Sequence, residues 1–322
     1  YNIIYNLMEV DTWEEGDFFL LYKDEVFKAL EKNNVKTGKP ISNSTKRNYL
    51  NSVITWAEAF DLDKDVIAEY SKSRDDYNLE YNKKVESGEW MNGEKELYLP
   101  RETIELELKG VEKLLRSQGI FNSTLEEIIQ SGQLSMYQYW VMMHMYMKHP
   151  LRNDLHEIQI VHNKAYDKKV TRGWGESKKE YDVFDKTKNY LIKEGQGFFL
   201  LLNDFKTNKA GSGVAKKIII EDKPLLKIMR KFIKITGAEG YLFTVDGDKP
   251  FTTNQFTQFL QKWNKTILGK PIGTRMMRKI FYTDKYDDDT MSELQKDASN
   301  NLHTISTAIN IYKKEKPNQT QS

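Results

Sequence analysis

Between residues 157 and 220 the helical periodicity of this chain gives way to short β-leaning segments, while helical spacing governs the residues before and after. Those segments are Glu157 to Val161, Tyr181 to Phe184, Phe198 to Phe205 and Val214 to Ile220. They read as short strands, the last two forming a β-hairpin. The expected fold class is therefore α+β: a mostly helical domain holding a small antiparallel sheet or hairpin. The run Lys206-Thr-Asn-Lys-Ala-Gly-Ser-Gly between the last two segments supplies a glycine-containing hairpin tip that carries Lys206 and Lys209.

The helices around this block have local causes. Ser42-Asn43-Ser44-Thr45 offers N-cap oxygens, and Tyr49, Val53, Trp56, Ala57 and Phe60 follow at helical spacing. An earlier helix is expected over Trp13 to Glu31, and Asp63 to Lys84 completes a small, all-helical first domain, residues 1–84. Residues 85–98 are polar, carry two glycines and lack periodicity, which reads as a linker. The second domain, residues 99–322, opens on helices at Thr103 to Arg116 and Met136 to Lys148. The latter stops at His149-Pro150, because the residue before proline avoids helical angles. Further helices are expected over Leu225–Ile235, Thr253–Ile267, Gly273–Tyr282, Thr290–Asp297 and Thr304–Lys314, with capping-box spacing between Thr290 and Glu293.

Composition narrows the chemistry. With no cysteine, disulfides, thiolate metal sites and cysteine nucleophiles are excluded. Met136 to Met147, the longest apolar stretch, falls short of the roughly 20 residues of a membrane-spanning helix. A soluble protein in the cytoplasm or nucleus of a host cell, with no membrane partner, is the expectation. The overall charge is +2, yet residues 1–100 hold 13 basic against 20 acidic side chains, and residues 201–281 hold 16 against 6. Such a cationic segment suits a polyphosphate partner. Histidines 144, 149, 156 and 162 lie near one another, but their spacings match no ligand pattern, and no phosphate-binding glycine loop is present, so neither metal nor cofactor is expected.

Several polar residues then fall into a telling order. Arg152 stands in His-Pro-Leu-Arg-Asn-Asp-Leu, Lys206 in Asp-Phe-Lys-Thr-Asn-Lys-Ala-Gly, Arg278 in Arg275-Met-Met-Arg278-Lys-Ile-Phe, and Tyr312 nine positions after His303. This succession, over roughly residues 98 to 315, resembles the tyrosine recombinase (phage integrase) family, whose catalytic set is two arginines, a hairpin lysine, a histidine or tryptophan, and a tyrosine. The resemblance implies a catalytic second domain and a first domain that clamps double-stranded DNA. It also implies a homotetramer on synapsed DNA and cleavage that needs no cofactor or metal. An abundance of Asn, Lys, Ile and Tyr hints at an AT-rich viral or mobile genome.

The implied roles follow phosphoryl chemistry. Arg152 and Arg278 would clamp the two non-bridging oxygens, because a guanidinium fork bonds two oxygens and stays charged. Lys206, with Lys209 as its competitor, would protonate the departing 5′ oxygen. His303 would donate a hydrogen bond to the phosphate, and Tyr312 would attack it to leave a 3′-phosphotyrosyl link. A free phenol ionises near about pH 10, so the surrounding cations must also stabilise the phenolate. Arg275 stands where the family has histidine, a departure that resembles type IB topoisomerases; an arginine there can stabilise charge but cannot act as a base. Lys216, Lys217, Lys279, Thr45 and Arg47 are further expected DNA contacts. Two alternatives stand beside the recombinase: a type IB-like topoisomerase and a DNA-binding relative without catalysis. Tyr282 and Tyr286 are the competing nucleophiles.

Overall fold

The computed structural model describes residues 23–33, 38, 40–87, 89–91, 93–166, 168–172, 179–205, 215–237, 239–286, 293–294, 297–298, 301, 304, 307–314 and 316. The chain forms two compact units that divide between Glu89 and Trp90. The fold class is α+β.

The first unit contains α1 (Lys23–Glu31), α2 (Asn43–Ala59) and α3 (Lys64–Glu86). Ser42 starts α2 by accepting the Thr45 N–H at 3.3 Å, and Asp63 starts α3 by accepting the Asp65 N–H at 2.9 Å. Each such cap satisfies an N–H that the helix cannot, worth about 1 kcal/mol. The heptad-like spacing of Leu50, Val53, Ile54 and Ala57 turns one face of α2 onto Val26, Leu30 and Tyr70. Of the expected Trp13 to Glu31 helix, Lys23 onward is helical and the earlier part lies outside the described residues.

In the second unit the linker expectation needs revision. Residues 94–97 form a short helix, α4 (Glu94–Leu97), and Trp90, Leu97, Tyr98 and Leu99 pack on the second unit's core. Their apolar side chains alternate with charges too irregularly to show a period, so only the packing partner reveals them. There follow α5 (Arg101–Ser117), α6 (Leu125–Gln130) and α7 (Leu134–Tyr146). Helix α7 is apolar around nearly its whole circumference and is buried on all sides, as such a pattern demands. Two of its polar groups are tied off inside the core. The Gln138 amide donates to the Thr244 carbonyl at 2.9 Å and accepts the Thr244 N–H at 2.7 Å, while the Tyr139 hydroxyl donates to Asn264 Oδ1 at 2.9 Å. Buried amides without such partners cost roughly 1–3 kcal/mol each.

The sheet is larger than the expected hairpin. It has five strands in the order β6-β5-β4-β1-β7: β1 (Gln159–His162), β4 (Tyr190–Glu194), β5 (Gly197–Leu202), β6 (Lys216–Ile219) and β7 (Gly240–Tyr241). Strands β5 and β6 pair antiparallel, Phe199 opposite Ile219 and Leu202 opposite Lys216, whereas β1 and β4 run parallel. A separate antiparallel pair joins β2 (Lys169–Arg172) to β3 (Lys179–Asp182). Strand β4 went unpredicted because its five residues show no alternation; both faces are covered. Leu191 enters the main core while Tyr190 and Ile192 join Val161, Tyr166 and Phe199 on the other side, where the short helix α8 (Asn163–Tyr166) packs.

Helices α9 (Lys223–Thr236), α10 (Thr253–Leu268) and α11 (Thr274–Lys285) close the unit. A five-residue π-helical turn, Ala308–Tyr312, stands against α11. Thr290 and most of the expected 290–297 helix lie outside the described residues. No helix among the described residues is long and apolar enough to cross a membrane.

Candidate functional site

Helix α11 organises the site because nearly every residue from Thr274 to Thr283 is buried, Arg275 excepted. Arg278 is only 5% exposed. Its guanidinium lies over the Tyr312 ring, 5.1 Å from the centroid, and hydrogen-bonds the same side chain. Its Nε and Nη1 are buried with no hydrogen-bond partner, and no carboxylate pairs with it among the described residues. Burial lowers its pKa, with the Tyr312 and Tyr146 side chains working in the opposite direction. A desolvated cation with two unmet N–H groups is a ready receptor for an anion.

Arg152 reaches the same place from another element. It follows the Pro150 stop of α7, and its backbone is held on both sides: Tyr146 donates to its carbonyl at 2.6 Å and its N–H donates to Asp154 at 3.1 Å. Arg152 and Arg278 both line an open cleft of about 380 Å³, together with Asp154, His156, Thr253 and Thr274. The Arg152 guanidinium, like that of Arg278, has no ion-pair partner among the described residues. Burial raises the Asp154 pKa above 3.8, and the Arg152 and Arg278 charges offset part of that rise. Asn153 ties the walls together, donating to Thr257 on α10 at 2.9 Å and accepting the Thr274 hydroxyl of α11 at 3.0 Å.

Tyr312 is 5% exposed and stacks on Tyr282, with centroids 5.8 Å apart at 14°. Its backbone is anchored to α11 through Thr283, whose hydroxyl faces the Tyr312 carbonyl at 3.5 Å and accepts the Lys314 N–H at 3.0 Å. The π-helical turn that ends on Tyr312 is a geometry found often at functional positions. Tyr282 and Tyr286 are fully buried, and burial drives both phenols well above 10. The Tyr286 hydroxyl donates to Asp297. Among the described residues, only Tyr312 of the three has an arginine over its ring.

Other expected residues have partners of their own or lie outside the described residues. Arg275 is exposed on the first turn of α11 and turns to Glu94, 3.7 Å away. Lys279, expected at DNA, is 1% exposed, ion-paired to Glu94 and 5.9 Å from the Trp90 ring centroid, so its charge is spent inside the fold. Arg47 donates to Asn78 at 2.9 Å and lies over Tyr81, and Thr45 shares a hydrogen bond with Ser42 at 2.9 Å. Lys217 lies 3.9 Å over Phe199 on the outer strand β6, beside Lys216. Lys206, Lys209 and His303 lie outside the described residues. No group of acidic residues and histidines suited to a metal ion occurs among the described residues. His144 and His149 are half-buried, and desolvation lowers both pKa values below 6.5.

Sequence reasoning weighed His156 only as a metal ligand and passed over Thr253 and Thr274; all three line the cleft. The signal available was the position of His156 four residues after Arg152. Comparison with protein-family models, curated protein sequences and solved structures gives no match for this chain.

Proposed function

We propose that this protein breaks and rejoins double-stranded DNA in the manner of a tyrosine recombinase, through a 3′-phosphotyrosyl intermediate. The observation that carries the reading is the pairing on one cleft of two arginines that have no ion-pair partner among the described residues, with the buried one packed against Tyr312. Phosphoryl transfer asks mainly for positioning and for neutralisation of the equatorial oxygens, which two guanidinium groups supply. Arg278 would serve twice, stabilising the tyrosine oxygen as it attacks and one phosphate oxygen as charge develops. Arg152 would hold the other oxygen, Lys206 and His303 would complete the set, and the link would conserve the bond energy for rejoining. The substrate would be a viral or mobile element, recombined by a homotetramer on synapsed DNA.

One observation favours a second reading, a DNA-binding relative without catalysis: Arg275, at the place of the family's histidine, points to Glu94. A nicked, end-labelled DNA bearing the element's terminal sequences separates the two when incubated without metal or nucleotide and run on a denaturing gel. Wild type should yield a covalent band, and Tyr312→Phe should lose it while retaining DNA in a native gel, since only a hydroxyl is removed. Retention without any covalent band would support the non-catalytic reading. An undiminished band in Tyr312→Phe would assign the attack elsewhere. Exchange between two sites, rather than resealing of one strand, separates recombinase from topoisomerase.

A further inference from the structure

We propose that His156, in place of Lys206, is the proton donor to the departing 5′ oxygen, which leaves Lys206 as a phosphate contact, an inference that rests on the tyrosine-attack reading above. It is the one histidine among the described residues that lines the cleft of Arg152 and Arg278. Its Nδ1 lies 2.8 Å from the Asn153 carbonyl. A carbonyl can only accept, so Nδ1 carries a hydrogen in either charge state, and the proton that comes and goes is on Nε2. Nε2 points to Thr253 Oγ1 at 3.3 Å, and Thr253 also lines the cleft. The anchor is itself fixed, because Asn153 bonds Thr257 on α10 and Thr274 one turn before Arg278. The imidazole is thereby held at a set position relative to both arginines.

The other charged groups facing it fit this task less well. Arg152 and Arg278 do not release protons near neutrality. Glu157, 3.9 Å from Nε2, is paired with Lys188 at 3.3 Å, and Asp154 accepts the Arg152 N–H. Asp204 also lines the cleft, and no hydrogen bond or ion pair joins it to His156 among the described residues. In the step, the Tyr312 oxygen bonds to phosphorus and its proton passes to water. The bond from phosphorus to the 5′ oxygen breaks, that oxygen keeps the electron pair, and it takes the Nε2 proton. His156 is left neutral, still bonded to Asn153 through Nδ1–H, with its Nε2 lone pair free in the covalent intermediate. On rejoining, its Nε2 accepts the proton of the attacking 5′ hydroxyl.

The test compares two DNA substrates, one with the natural 5′ oxygen and one with sulfur at that bridging position, which leaves as a thiolate without needing a proton. His156→Gln and His156→Asn, checked for native unfolding midpoint and DNA retention, should cut single-turnover cleavage of the oxygen substrate by about 10²–10⁴-fold. On the sulfur substrate both should recover to within about tenfold of wild type, a rescue that lost packing cannot produce. Wild-type rates in the variants, or equal defects on both substrates, overturn the assignment while leaving tyrosine attack intact. Lack of a covalent product from wild type on either substrate overturns tyrosine attack and this assignment together.

Discussion

Lys279→Met isolates one carboxylate and tests how the helix that carries Arg278 is held. Lys279 is 1% exposed and Glu94, its partner, is 17% exposed at the side chain. Breaking a buried ion pair from one side costs roughly 3–5 kcal/mol, chiefly because the remaining charge stays desolvated. Glu94 would keep the Met91 N–H at 3.1 Å and Arg275 at 3.7 Å, so the low end, about 3 kcal/mol, applies. For a unit of this size each kcal/mol moves the midpoint by roughly 2–4 °C, giving a fall of about 6–12 °C in calorimetry. Burial lowers the Lys279 pKa below 10.5, with Arg275 and Lys314 adding to the fall and Glu94 opposing it, and a buried pair of this kind repays its desolvation poorly. Replacing both members, Glu94→Leu with Lys279→Met, should therefore return stability to within about 1 kcal/mol of native. A single variant as stable as native would refute the reasoning, as would a double variant no better than the single.

Two predictions concern pH. The Asp154 carboxyl binds its proton more tightly folded than unfolded, so its contribution is present below pH 3.8 and is lost as pH rises through the higher folded value. Asp154→Asn keeps an acceptor for the Arg152 N–H and should be the more stable protein at pH 7 in urea unfolding, with the difference closing toward pH 3.8. An advantage that persists unchanged at pH 4 would count against the sign. His144 behaves in the opposite sense. Its folded pKa is held below 6.5 by burial, so the unfolded chain takes up the proton first and stability falls as pH drops below 6.5. His144→Phe, which keeps an aromatic ring against Trp140 and removes the unpartnered Nε2, should flatten part of that loss; His149 would carry the remainder. Equal acid sensitivity in the variant would assign the loss to other groups.

Local causes made much of the helical framework legible. The Ser42 cap, the Pro150 stop after α7 and the apolar periods of α5, α9 and α10 act within a turn or two of chain, so residue order alone fixes them. Arg152, Arg278 and Tyr312 were legible as candidates for a different reason, their order and their resemblance to one catalytic set. The strands were harder. Strand β4 lies between β1 and β5 with both faces covered, so its identity depends on partners far away in sequence. The segment after residue 89 misled for the same reason, since Trp90 and Leu97 acquire meaning only from the core they meet.

Charge marks the boundary most sharply. Sequence supplies Arg275, Arg278 and Lys279 as three cations within five positions, and a helical period of 3.6 residues points them in different directions. Tertiary packing alone decided that Glu94 takes Lys279 into the interior and holds Arg275 at the surface, while Arg278 is buried on Tyr312 with two N–H groups unmet. Likewise His156 is, as a letter, one histidine of five. Its tautomer and direction come from the carbonyl of Asn153 and from walls built by α10 and α11, about a hundred residues away, because a hydrogen bond depends on distance and angle, which sequence does not specify across folds of the chain.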